Sequence, residues 1–80
     1  MLRFLVIIEK ANGNYSAYAP DLPGCVATGS TREEAEAAMH QALRLHVEGL
    51  LKDGQPVPEQ ESVAEYMLVA RDTLRPSGSA

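Results

Sequence analysis

Cys25 is the one thiol in the chain, and it closes the run Pro20-Asp21-Leu22-Pro23-Gly24-Cys25; two imidazoles, His40 and His46, follow it. A cysteine with a histidine base would make a nucleophile. A reactive thiol, however, needs a cationic neighbour or a helix N-terminus, and nothing adjacent to Cys25 in sequence supplies one. Free cysteine is among the most buried residue types, so the expected role of Cys25 is a small inward-facing side chain at the start of a strand. His40 and His46 lie six residues apart, about 240° around a helix, whereas helical zinc pairs use i, i+4 spacing. No metal site and no cofactor are expected. His46 falls on the apolar side of its helix and His40 on the solvent side.

Carboxylates offer the other chemistry. Asp21 sits in a turn, where an Asp side chain commonly bonds nearby backbone N–H groups. A rigid surface loop can carry a partner contact as well. Two-metal ribonuclease chemistry needs several converging carboxylates. The run Leu2 to Ile8 has none, and only Glu9 stands at its end. The chain is therefore read as a non-enzyme. Glu33, Glu34 and Glu36 lie in the early turns of a helix, where negative charge complements the dipole. They form a solvated helix start, and the same charges could meet a basic partner.

The elements that must position these groups follow from pattern. Leu2, Phe4, Val6 and Ile8 share one face of a strand, with Leu5 and Ile7 on the other. Apolarity on both faces predicts a central strand, covered on two sides or on one side by a partner subunit. Asn12-Gly13 predicts a hairpin. A second strand spans about Tyr15 to Ala19 and ends at Pro20, which cannot donate to a ladder. Pro23-Gly24 suits the centre of a type II turn. A third strand covers about Cys25 to Thr28, broken by Gly29. A helix follows from about Thr31 to Lys52, with Ser30-x-x-Glu33 and Thr31-x-x-Glu34 both matching a capping box. Ala35, Ala38, Met39, Ala42, Leu43, His46 and Leu50 form its inner face; Leu45, Val47 and Leu51 widen the apolar area. Asp53-Gly54 ends it. Gln55 to Pro58 is an extended connector, and Val63 to Ala70 reads as a fourth strand. A right-handed crossover would set that strand parallel to the first, at its free side. The expected fold class is α+β: a two-layer βββαβ unit, a four-stranded mixed sheet of order 3-2-1-4 with one helix packed on one face. Residues 1–70 form the domain, and 71–80 a frayed C-terminal tail.

Composition bounds the rest. Eighty residues with a net charge of -4 make one small domain with a modest core. The acidic balance and dispersed basic residues argue against direct nucleic-acid binding. The apolar N-terminal run is too short to span a bilayer and has no cleavage site, so no membrane contact is expected. A single cysteine fits a reducing cytoplasm. The small core, the two-faced first strand and any open sheet edge point to a homo-oligomer.

The order of elements and the residues Tyr15-Ser16-Ala17-Tyr18-Ala19-Pro20-Asp21-Leu22-Pro23-Gly24-Cys25, then Gly29-Ser30-Thr31-Arg32-Glu33-Glu34-Ala35, resemble the HicB-like antitoxin family. Leu50-Leu51-Lys52-Asp53-Gly54-Gln55-Pro56-Val57-Pro58 continues the match, which covers about residues 2–70. The resemblance implies a partial ribonuclease H-like fold. It also implies a HicA-like partner, a small basic toxin that cleaves mRNA and is inhibited when the antitoxin occupies it. Typical members add a C-terminal DNA-binding module. None fits in Arg71–Ala80, so that half of the family function is not carried over. Asp21, Leu22, Pro23, Glu33, Glu34 and Glu36 are the expected partner contacts. Tyr15, Pro20, Gly24, Cys25 and Gly29 are the expected scaffold positions. The alternative reading is an orphan interaction or regulatory domain that binds a peptide or small molecule and has no toxin.

Overall fold

A computed structural model describes residues 1–73. Three strands form one antiparallel sheet in the order β1-β2-β3: β1 is Ile7–Ala11, β2 is Asn14–Tyr18 and β3 is Val26–Gly29. Helix α1, Arg32–Lys52, covers one face, and a 3-10 turn, Arg71–Thr73, lies at the end of the described chain. The α+β class and the βββα order match the sequence expectation. The sheet differs from it, being antiparallel throughout and three-stranded rather than mixed and four-stranded. The expected fourth strand, Val63 to Ala70, does not form as a strand among the described residues. β1 is consequently an edge strand, although its apolar faces predict a central one. The expected tail lies outside the described residues from 74 onward.

Register explains which residues reach the core. Ile8, Ala17 and Ala27 stand opposite one another across the three strands and face α1. The adjacent row, Ile7, Tyr18 and Val26, lies on the other face, which the helix leaves uncovered. Alternation along a strand requires this split. The buried centre comprises Ala17, Ala19, Leu22, Cys25 and Met39. Phe4, Val6, Leu43, Val47 and Leu50 pack around it, half-buried. The ladder of β1 begins only at Ile7 because β2 ends at Tyr18, just before the Ala19-Pro20 corner. Leu2 to Val6 therefore continue beyond the paired part of the sheet.

The helix keeps its predicted limits to within a residue. Of the two possible capping boxes the chain uses the second. The backbone N–H of Glu34 donates to Thr31 Oγ1 at 3.1 Å, and Glu34 Oε2 accepts from the backbone N–H of Ser30 at 2.9 Å. At the other end Gly54 donates to the Leu51 carbonyl and Gln55 to the Leu50 carbonyl, the two bonds of a Schellman cap. α1 packs chiefly over β3, less over β2 and least over β1. Gly29 permits this close approach. A Cβ there would overlap the backbone nitrogen of Ala35 and stand 2.7 Å from the backbone carbonyl carbon of Glu34. Ala35, fully buried, meets the sheet at the same point.

Candidate functional site

The corner between β2 and β3 is two consecutive β-turns. Leu22 N–H donates to the Ala19 carbonyl, and Cys25 N–H to the Leu22 carbonyl, each at 3.1 Å. Ala19 N–H donates to the Cys25 carbonyl at 3.3 Å and closes the loop at its base. Pro20 and Pro23 occupy the second position of each turn, where a fixed φ is suited. Gly24 has φ 84°, the value that the third position of a type II turn demands. The rigid corner read from the sequence is present.

Its side chains are distributed differently from the expectation. Leu22, expected at the tip as a partner contact, is 1% exposed and packs with Ala17, Ala19, Cys25 and Met39. The double turn folds the tip inward, which a single turn would not do. Pro20 and Pro23 remain on the surface. Cys25 is buried, and burial pushes its thiol pKa above the ordinary value of 9.0. A raised thiol pKa is the opposite of what a nucleophile requires.

Asp21 makes contacts that no local pattern signals. Its carboxylate accepts hydrogen bonds from Ser62 Oγ at 2.8 Å, from Ser62 N–H at 3.2 Å and from Glu61 N–H at 3.2 Å. It therefore fastens the corner to a segment 40 residues downstream rather than bonding within its own turn. Nearby, Arg3 Nε reaches Gln60 Oε1 at 3.4 Å. The Ser62 hydroxyl is the main cause that holds the Asp21 carboxyl below its ordinary pKa of 3.8; partial burial opposes it, and the N–H groups of Ser62 and Glu61 reinforce it. A depressed folded-state pKa means that the clasp contributes fully above the unfolded value and is lost as pH falls through the folded one. We expect the Ser62 amide resonance to titrate with an apparent pKa below 3.8 and to lose that titration in Asp21→Ala. An Ser62 amide that stays unchanged between about pH 5 and pH 2 would contradict the assignment.

The acidic residues of α1 divide by task. Glu34 is committed to the cap. Glu33 and Glu36 are exposed and free of it. Glu33 stands beside Lys10, Tyr15 and Arg32 near the hairpin end of the sheet. Glu36 stands with Val6, Ile8 and Met39 along β1. The corner precedes β3 and the helix start follows it, so the two sets of expected contact residues lie at opposite ends of that strand. His40 is exposed and His46 half-buried. No three His, Cys, Asp or Glu side chains converge as metal ligands among the described residues. Among them, too, no helix is long and apolar enough to cross a membrane.

A groove that sequence reading did not anticipate runs beside β1. One part, about 460 Å³, is lined by Leu2, Phe4, Leu43 and Val47 among others. A second, about 300 Å³, is lined by Val6, Ile8, Met39 and Leu43. The parts share His40 and Leu43 and lie between α1 and the stretch from Leu2 to Ile8. The alternation Leu2, Phe4, Val6, Ile8 was the available signal for it.

Comparison with known proteins gives this scaffold its relatives. Residues 4–72 match the profile described as the HicB-like antitoxin of bacterial toxin–antitoxin systems. An uncharacterized 14.9 kDa protein of Haemophilus phage HP1 is 36% identical over 62 residues, 78% of this chain. This chain spans about half of that phage protein, 47% of its length. A UPF0150 protein of Synechocystis is 36% identical over 67 residues, covering 82% of this chain and 85% of the relative. Among solved structures, a chain of a HicA3 and HicB3 toxin–antitoxin complex superposes with a TM-score of 0.63 at 27% identity, covering 74% of this chain and 70% of that one. Profile, relatives and fold agree, and the chain belongs to the HicB-like antitoxin family of bacterial toxin–antitoxin systems.

Proposed function

We propose that this chain is a non-catalytic antitoxin domain that sequesters a small, basic, HicA-like toxin able to cleave mRNA. The observation that carries the reading is the likeness to a chain of the HicA3–HicB3 complex, which covers 74% of this chain. The charge balance supports it: a net charge of -4 suits a basic protein partner. Glu33 and Glu36 are the acidic candidates for that contact, being exposed and released from capping. Pro23 and the neighbouring surface of the corner offer a rigid apolar edge. Inhibition in this reading is occupation of the toxin surface, and the buried, high-pKa Cys25 takes no part.

The test is binding and protection. A short basic HicA-like protein encoded beside this chain is expected to co-purify with it and to lose RNA cleavage at equimolar ratio. Glu33→Lys/Glu36→Lys is expected to weaken the complex by roughly tenfold, mainly through a slower association that depends less on salt. Full RNA cleavage in the presence of excess wild-type protein would refute the proposal.

A further inference from the structure

The hairpin between β1 and β2 holds a dipeptide that the toxin reading leaves unused. Only Asn12 and Gly13 separate Ala11, the last residue of β1, from Asn14, the first of β2. All four are exposed. Gly13 takes a positive φ of 76°, and a Cβ built on it would meet nothing within 4 Å. Among the described residues its backbone N–H has no protein acceptor. The Gly13 nitrogen thus adjoins the Asn12 side-chain amide in open solvent. No hydrogen bond holds it, and no side chain screens it.

Comparable neighbours elsewhere in the chain are closed. Asp53-Gly54 ends α1, where Gly54 N–H donates to the Leu51 carbonyl and Asp53 N–H to the Gly49 carbonyl, each at 3.1 Å. The nitrogen that follows Asn14 belongs to Tyr15, which is half-buried in the ladder opposite Lys10.

We infer that Asn12 is a site of spontaneous deamidation in the folded protein, a slow one-way modification whose only co-reactant is water. The Gly13 nitrogen bonds to Asn12 Cγ, the Cγ–Nδ2 bond breaks, and ammonia leaves with the proton of the Gly13 N–H. The product is a five-membered succinimide. Water then opens one of its two carbonyls. Addition at Cγ breaks the new bond and leaves aspartate. Addition at the main-chain carbonyl breaks the original peptide bond and leaves isoaspartate, whose backbone runs through Cγ. Asparagine and water are consumed, and an acidic residue and ammonia are formed.

Either product makes the net charge of -4 one unit more negative. Isoaspartate also lengthens the turn by one backbone atom. The length of a hairpin turn fixes the register of its strands, so the closing pairs Ala11–Asn14 and Lys10–Tyr15 must loosen. Lys10 and Tyr15 stand beside Glu33 at the start of α1, so the change reaches the end of the sheet where the helix begins. This inference is independent of the toxin reading.

Incubation of the full chain at mildly alkaline pH, followed by peptide mass spectrometry, decides it. The folded protein is expected to convert Asn12 at a rate within about tenfold of the urea-unfolded chain, since an exposed turn opens at little cost. Asn14 should keep its amide and Asp53 its normal backbone. Asn12→Gln, which would need a six-membered ring, should form no acidic species on ion exchange over the same time. In the isoaspartate form, amide hydrogen exchange should quicken about tenfold or more from Lys10 to Tyr15 and stay unchanged at Ala17 and Ala27. An Asn12 that keeps its amide in the folded protein while the unfolded chain loses it would overturn the inference. So would equal conversion at Asn14, or an isoaspartate form whose Lys10 to Tyr15 amides exchange as before.

Discussion

Leu22→Ala should lower the stability of this protein by about 2–5 kcal/mol, the range for truncating a fully buried leucine. Among the described residues, Leu22 and Met39 are the largest fully buried side chains, and only six hydrophobic residues are buried. A core of that size has no spare volume to collapse into the gap. The loss compares with a total stability near the low end of about 5–15 kcal/mol for a small domain. For chains of this length each kcal/mol moves the melting temperature by about 4–8 °C, so thermal denaturation should show a drop on the order of 10–30 °C. Pro23→Ala, one residue away and exposed, is the control. It removes a proline constraint and should cost no more than about 1 kcal/mol. Equal melting temperatures for the two variants would mean that the corner does not bury Leu22.

Gly29→Ala should be the other costly change, and for the opposite reason. It adds one methyl group where the backbones of β3 and α1 already meet, with Glu34 backbone carbon at 2.7 Å and Glu34 Cβ at 2.8 Å from the new atom. Backbone cannot rotate out of the way as a side-chain end can, so the helix must lift from the sheet. Overpacking of this kind costs about 1–3 kcal/mol. Gly49→Ala supplies a control of opposite sign. It lies inside α1 with nothing within 4 Å of the added Cβ, and replacing a helical glycine by alanine should stabilise by about 0.8–1 kcal/mol. Chemical denaturation of the pair should move the midpoints in opposite directions. A Gly29→Ala variant as stable as the wild type would show that β3 and α1 can part at that point without cost.

The contrast between what was legible in the chain and what was not follows the range of each signal. The hairpin, the strand-ending Pro20, the Pro23-Gly24 turn and the capped helix are written in residues within a few positions of one another, and all stand in the structure. Burial of Leu22 was hidden because one turn reads as surface, while two in succession fold the tip back. The partner of Asp21 was hidden because Ser62 lies 41 residues away in a polar stretch with no periodicity. The fate of Val63 to Ala70 was misread for a third reason. Alternation and β-branching record that a segment suits a ladder, and they carry no information on whether a neighbouring strand is within reach. The pattern offers Glu33 and Glu34 alike as capping partners, and only the geometry shows that the cap takes Glu34 and leaves Glu33 out of it.

The Asp21 clasp has a bearing on the chain beyond the two residues it bonds. A connector held only by the end of α1 would sample many paths, and each residue left free raises the entropy lost on fixing it. Asp21 bonds Ser62 and Glu61 back to the corner between β2 and β3, so the chain from that corner through β3, α1 and the connector closes on itself as a hydrogen-bonded belt. The buckle of the belt is a carboxylate, and acid that protonates it opens the connector while the capped helix and the paired strands keep their own bonds.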